Sequence, residues 1–209
     1  MTWFRMTFVC HGLIFHSLLY SDMPAENDKR DPRELLILAK KGDRQAYGAL
    51  YEIYLTPVYR FIFFRVRGRD EAEDLTQTVF LKVFQSLENF QLGSTSPLAY
   101  FLTVARNAVI DFWRKKKEAR LDDETEFFQN LAGGEDASRS LELAEAGATV
   151  RRFLALLDEE GREILTLRFL SELSHAEIAS VIGKSEEAIR QIQCRALKKI
   201  REKLSGSPS

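Results

Sequence analysis

Ser174-His175-Ala176-Glu177-Ile178-Ala179, leading through Gly183 into Ser185-Glu186-Glu187-Ala188-Ile189-Arg190-Gln191-Ile192, is the stretch on which the reading of this 209-residue chain turns. Ser174 with Glu177 three residues later, ahead of apolar Ile178, is a capping box that starts a helix. Gly183 takes the left-handed conformation that ends one at low cost. Ser185 then caps a second helix with Ile189, Ile192, Ala196 and Ile200 on one face. Its other face carries Arg190, Gln191, Cys194, Arg195 and Lys198. Two short helices across a glycine turn, the second amphipathic and basic, form the pattern of a helix-turn-helix whose second helix enters a DNA major groove. A helical hairpin with a solvated basic face has the same local pattern, so the rest of the chain must arbitrate.

Net charge is only −1, which on average disfavours a nucleic-acid partner, but the charge is segregated. From Leu121 to Ala148 the acids Asp122, Asp123, Glu124, Glu126, Glu135, Asp136, Glu142 and Glu145 face one base, Arg139. Arg114-Lys115-Lys116-Lys117 precedes this stretch, and Lys198-Lys199-Ile200-Arg201-Glu202-Lys203 follows it. The layout is an acidic connector between two basic modules, with Gly133-Gly134 marking it as flexible. Hydrophobic residues at 45% support packed cores, and 29% charged residues fit a soluble protein. Cys10 and Cys194 are too few for a disulfide scaffold and suit a reducing cytosol. His11, His16 and His175 have no metal-site spacing with either cysteine, and neither metal nor cofactor is expected.

Met1 to Tyr20 is apolar with Arg5 near its front, the outline of a signal peptide. His11 and His16 interrupt the run, however, and no small-x-small cleavage site follows. Residues 1–30 are therefore expected to be a disordered extension or to lie upstream of the true start, with translation beginning at Met23. A weak membrane anchor is the alternative, at a length marginal for a span.

From Asp31 to Lys117 the pattern is helical almost throughout. Leu35, Leu36, Leu38 and Ala39 begin one helix, and Ala46, Leu50, Ile53 and Tyr54 continue beyond Gly42-Asp43. Thr56-Pro57 reads as a cap with proline at the first helical position, opening a new helix through Phe64. Asp70 with Glu73 reads as the next start, for a helix with Leu75, Val79, Phe80, Val83 and Leu87 inward. Asp74, Gln77, Thr78 and Lys82 lie on its opposite side, by default a solvated stripe. Gln91 to Thr95 is a loop, and Ser96-Pro97 restarts helix with Phe101, Leu102, Ala105 and Val109 inward. The outward Thr103, Arg106, Asn107 and Arg114, interleaved with Tyr100, Phe101, Phe112 and Trp113, offer the cations and rings that single-stranded nucleic acid uses, although Phe101 and Phe112 are expected to pack inside. Helix resumes at about Val150, breaks at Asp158-Glu159-Glu160-Gly161, and runs again from Glu163 to Leu170.

Three separated segments together carry a family resemblance: Glu71-Ala72-Glu73-Asp74-Leu75-Thr76-Gln77-Thr78-Val79-Phe80; Tyr100-Phe101-Leu102-Thr103-Val104-Ala105-Arg106-Asn107-Ala108-Val109-Ile110-Asp111; and Leu156-Leu157-Asp158-Glu159-Glu160-Gly161-Arg162-Glu163-Ile164-Leu165-Thr166-Leu167-Arg168-Phe169. With the terminal helix-turn-helix they resemble a bacterial RNA polymerase sigma factor of the extracytoplasmic-function (ECF) type, over roughly Arg33 to Leu204. The resemblance implies an all-α fold of two small helical domains joined by a flexible acidic linker. Residues 31–118 would bind core RNA polymerase and recognise and melt the −10 element. Residues 119–148 would be the linker, and 149–205 would read the −35 element.

It also gives the ambiguous faces roles. Asp74, Gln77 and Lys82 become polymerase contacts. Tyr100, Arg106, Asn107, Arg114 and Lys115 become contacts to the opened −10 DNA, where flipping a base costs a few kcal/mol that stacking and pocket hydrogen bonds offset. Arg190, Gln191, Arg195 and Lys198 face the −35 duplex, since Arg pairs bidentately with guanine and Gln with adenine, and Ser185 at the helix start holds phosphate. Phe101 stands where the family often has tryptophan, and Ile192 where many relatives have arginine in the recognition helix. The implied partners are core polymerase, promoter DNA as duplex and single strand, and an anti-sigma protein, in the cytoplasm. No nucleophile elbow, phosphate loop or metal spacing points to an enzyme. The alternative, a helix-turn-helix regulator outside the polymerase, calls for a receiver domain of alternating strands and helices that the first half does not show.

Overall fold

The computed structural model describes residues 30–66, 68–89, 96–118 and 141–205. The expected extension at 1–30 except its last residue, the loop after residue 90 and the connector at 119–140 lie outside the described residues. Eight α-helices and no strand are present among those described: α1 (Pro32–Lys40), α2 (Arg44–Phe63), α3 (Arg69–Ser86), α4 (Pro97–Glu118), α5 (Leu141–Ala155), α6 (Glu159–Leu165), α7 (His175–Ile182) and α8 (Glu186–Ser205). A 3-10 turn, Leu87–Asn89, extends α3, and a π turn, Thr166–Leu170, extends α6. No helix among the described residues is long and apolar enough to cross a membrane.

Local chemistry explains most boundaries. The Asp31 carboxylate accepts from the Arg33 amide at 2.9 Å, with Pro32 at the first helical position, and Asp43 caps α2 in the same way through the Gln45 and Ala46 amides. Ser96 caps α4 by accepting from the Ala99 amide at 3.2 Å.

Five expectations need correction. Thr56-Pro57 does not open a helix: α2 runs unbroken from Arg44 through Pro57 to Phe63. Its buried residues, Ala46, Leu50, Tyr54, Val58, Phe61 and Ile62, form one stripe, and burying that stripe outweighs the single amide that proline withholds. The start of α3 is Gly68 with Glu71, whose carboxylate accepts from the Gly68 amide at 2.8 Å, rather than Asp70 with Glu73. Glu73 instead pairs along the helix with Arg69.

Glu159-Glu160-Gly161 is the first turn of α6, not a break, because Asp158 caps it by accepting from the Gly161 amide at 2.8 Å. Gly161 is required by close approach: a Cβ there would stand 2.7 Å from the Asp158 carboxylate and 3.3 Å from the Ala196 Cβ of α8. Finally, the helix expected from Glu163 to Leu170 loosens into a π turn at Thr166, where the Ser171 amide reaches back to the Thr166 carbonyl at 3.1 Å. Helix also begins at Leu141, inside the expected linker.

The described residues from Asp31 onward form one compact unit. Its main core joins Leu35, Leu36, Leu50, Phe61, Val79, Phe101 and Leu102 to Ile164, Leu167, Leu173, Ile178 and Ile189. The helices of the second half thus bury apolar groups against those of the first. Here α7 packs on α4, and the π turn packs on α2, where the Ser171 hydroxyl donates to the Pro57 carbonyl at 3.2 Å. A smaller cluster of Leu154, Leu157, Leu165 and Ala196 takes in Phe64, which caps the end of α2, and Ile200 of α8.

Candidate nucleic-acid interface

The terminal pair of helices forms as the capping pattern requires. The Glu177 amide donates to the Ser174 hydroxyl at 3.2 Å, and the Glu177 carboxylate accepts from the Ser174 amide at 2.8 Å. Gly183 ends α7 at φ 78°. Burial pushes the Glu177 carboxyl upward, but hydrogen bonds from Ser174 and from Ser96, which caps α4, outweigh it and leave the group below its ordinary value. The Ala188 amide donates to the Ser185 hydroxyl at 3.2 Å, so this side chain serves the helix end.

Ile189, Ile192 and Ala196 are buried beneath α8, with Ile200 half-buried behind them. That leaves Arg190, Gln191, Cys194, Arg195 and Lys198 exposed on the outer face. Arg190 is already engaged by Glu186 at 2.8 Å and Glu187 at 3.8 Å, and the Gln191 amide donates to Glu187 at 3.3 Å. The two acids of the first turn therefore hold the two residues best suited to base edges.

Residues on α3 and α4 fall into two groups. Asp74, Gln77 and Lys82 are exposed together on the outer side of α3. Leu81 and Phe84, 56% and 48% exposed, share that side and were missed by reading the stripe for polarity alone. Their i+4 and i+3 spacing from Gln77 and Leu81 was the available signal. On α4, Asn107, Arg114 and Lys115 are exposed, with Arg114 paired to Asp111 at 3.0 Å. The hydroxyls of Tyr100 and Ser86 share a hydrogen bond at 2.7 Å, and Phe101 is fully buried. Lys116, not singled out by sequence, pairs with Glu71 at 2.7 Å and lies over the Phe112 and Trp113 rings.

Arg106 is different. Its Nε donates to Glu163 of α6 at 3.1 Å, across the two halves. Glu163 also lies 3.4 Å from Nη1 of Arg65, the residue just past the end of α2, and Arg65 Nη2 donates to Glu159. The Arg65 side chain is 3% exposed, and the Trp113 indole of α4 donates to its carbonyl at 3.0 Å. Arg162 completes the cluster from below, donating to the Leu154 and Leu157 carbonyls, with its guanidinium pKa lowered by burial. Sequence reasoning missed Arg65, Glu159 and Glu163, because a pairing across 94 residues leaves no periodic trace.

Comparisons with known proteins agree with this arrangement. The family model described as Sigma-70 region 2 matches residues 50–119, and that described as Sigma-70, region 4 matches residues 153–202. The ECF RNA polymerase sigma factor BldN of Streptomyces coelicolor is 35% identical over 178 residues, 83% of this chain and 66% of that protein's length. The ECF RNA polymerase sigma factor SigX of Bacillus subtilis is 30% identical over 167 residues, 76% of this chain and 83% of its own. The fold is that of CnrH, solved in complex with the cytosolic domain of CnrY, at a TM-score of 0.66 and 21% identity over 85% of this chain and all of that one. It is also that of RpoE from Bartonella quintana, solved with the anti-sigma factor NepR, at 0.64 and 22% over 78% and 99%. With a helix-turn-helix that exposes a basic face, a second cation-bearing helix in the first half and both sigma regions matched in order, the chain belongs to the ECF RNA polymerase sigma factors.

Proposed function

We propose that residues 31–118 attach to core RNA polymerase through Asp74, Gln77 and Lys82 and engage the opened −10 element through Tyr100, Arg106, Asn107, Arg114 and Lys115. Residues 149–205 then read the −35 duplex through Arg190, Gln191, Arg195 and Lys198, with Ser185 near phosphate, and the segment 119–148 links the two. The observation that carries this is the pair of exposed, cation-bearing helix faces, one on each matched sigma region. Leu81 and Phe84 add apolar area to the polymerase-facing side of α3. The protein acts in the cytoplasm as a dissociable subunit without catalysis of its own, and an anti-sigma protein of the kind seen with its structural neighbours restrains it. Purified chain added to core polymerase, with transcription measured from genomic fragments, tests the proposal. Initiation that depends on the chain is expected, and neither initiation nor co-purification with core would refute it.

A further inference from the structure

The cluster between the two halves is not explained by stability. Burying charges is costly, and a buried pair offsets this only when its hydrogen bonds are complete. Here they are not. Nη1 of Arg65 is buried without a hydrogen bond, although Glu163 lies 3.4 Å away. Two guanidinium groups, Arg65 and Arg106, converge on the Glu163 carboxylate, and Arg65 shares Glu159 with Arg162, which stands 3.8 Å from it. Both acids come from one face of α6, and both arginines belong to the first half.

Those arginines adjoin the side of α4 proposed above to face DNA. Arg106 neighbours exposed Asn107, and Arg65 is tied to α4 by Trp113. A phosphate offers several oxygens to a forked guanidinium and would engage the donor that the carboxylates leave unused.

We propose that Arg65 and Arg106 form a DNA phosphate-binding site, occupied in the free protein by the Glu159 and Glu163 carboxylates as built-in phosphate mimics. The site becomes available when the second half moves away, so DNA and α6 compete for the same two guanidinium groups. This rests on the sigma-factor reading of the chain. Phosphate contacts carry no sequence information, so the site is measurable without knowing the promoter.

The test uses the full-length chain and a fluorescein-labelled, mixed-sequence DNA, as a single strand and as a duplex, titrated at low and moderate salt. Glu159→Gln/Glu163→Gln removes the mimicry while keeping side-chain shape. Affinity for at least one DNA form is expected to rise about tenfold at low salt, with the gain shrinking as salt increases. Adding Arg65→Gln/Arg106→Gln to that variant should abolish the gain. The control Glu88→Gln/Glu172→Gln removes the same charge from exposed positions and should gain little. Glu159→Gln alone, at a side chain 65% exposed, guards against misfolding of the double variant and should give a smaller gain of the same kind. No gain, an equal gain in the control, or a gain that survives loss of both arginines overturns the site. Core polymerase separates the two ideas: initiation by the wild-type chain with no affinity gain refutes the phosphate site alone, whereas no initiation by any form refutes the reading beneath it.

Discussion

Arg190 shows how a side chain is prepared for a partner. It sits one turn into α8, exposed, and is held by Glu186 and Glu187 rather than free in solvent. Surface pairs of this kind contribute only about 0–1 kcal/mol, so a guanine edge can displace them. Arg190→Ala is expected to cost about 1–3 kcal/mol at one base-pair position of the −35 element, measured as binding of holoenzyme to promoters altered one base at a time. An equal loss on every sequence would instead mark a phosphate contact. Ile192 is buried, so this position packs inward and offers the DNA no contact.

Glu177 yields a pH prediction of defined sign. Its folded-state pKa lies below its ordinary value, so its stabilising contribution is present above the unfolded pKa, about 4.3, and is lost as pH falls through the folded value. Acidification through that range should lower the melting temperature, and Glu177→Gln should flatten that part of the curve. A curve of unchanged slope in the variant would contradict the assignment.

At the scale of elements, sequence patterns were most informative where a helix's own side chains set its limits. Ser174 with Glu177, Gly183, Ser185 and Ser96 all act where the spacing of polar and apolar residues placed them. Patterns misled where tertiary packing outweighed a local signal. Pro57 looked like a beginning but lies within α2, whose buried stripe continues on both sides of it. Gly161 looked like a stop but lies inside α6, where a Cβ would crowd the Asp158 carboxylate and the Ala196 Cβ of α8. The π turn had no signal at all, since it forms where Ser171 and Leu167 settle against the first half. The exposed basic faces were legible, whereas the arginine-carboxylate cluster was not, because it depends on how the halves meet.

Gly161→Ala tests the packing reading. In an ordinary helix interior alanine would add roughly 1 kcal/mol of stability. At this site its methyl group must displace the Asp158 cap or push Ala196 away, an overpacking cost of about 1–3 kcal/mol. Urea denaturation should show a net loss, and a gain in stability would mean that α6 and α8 are not held at this distance.

For the whole molecule, the decisive fact is that the core is continuous across the two sigma regions. If each half were stable alone, they would unfold separately. A shared core instead couples them, since exposing Leu167 and Ile178 also uncovers the apolar faces of α2 and α4 against which they pack. The chain supplies its own reporters for this. Trp113 lies in α4, and the other of its two tryptophans, Trp3, can be replaced by phenylalanine. Cys194 is exposed on α8, and Cys10, the other cysteine, can become serine so that a fluorophore attaches at one place. In urea, Trp113 emission and the Cys194 label are expected to trace one coincident transition in the free protein. Two separated midpoints would show that the halves fold independently, and would remove the closed arrangement on which competition between DNA and Glu163 depends.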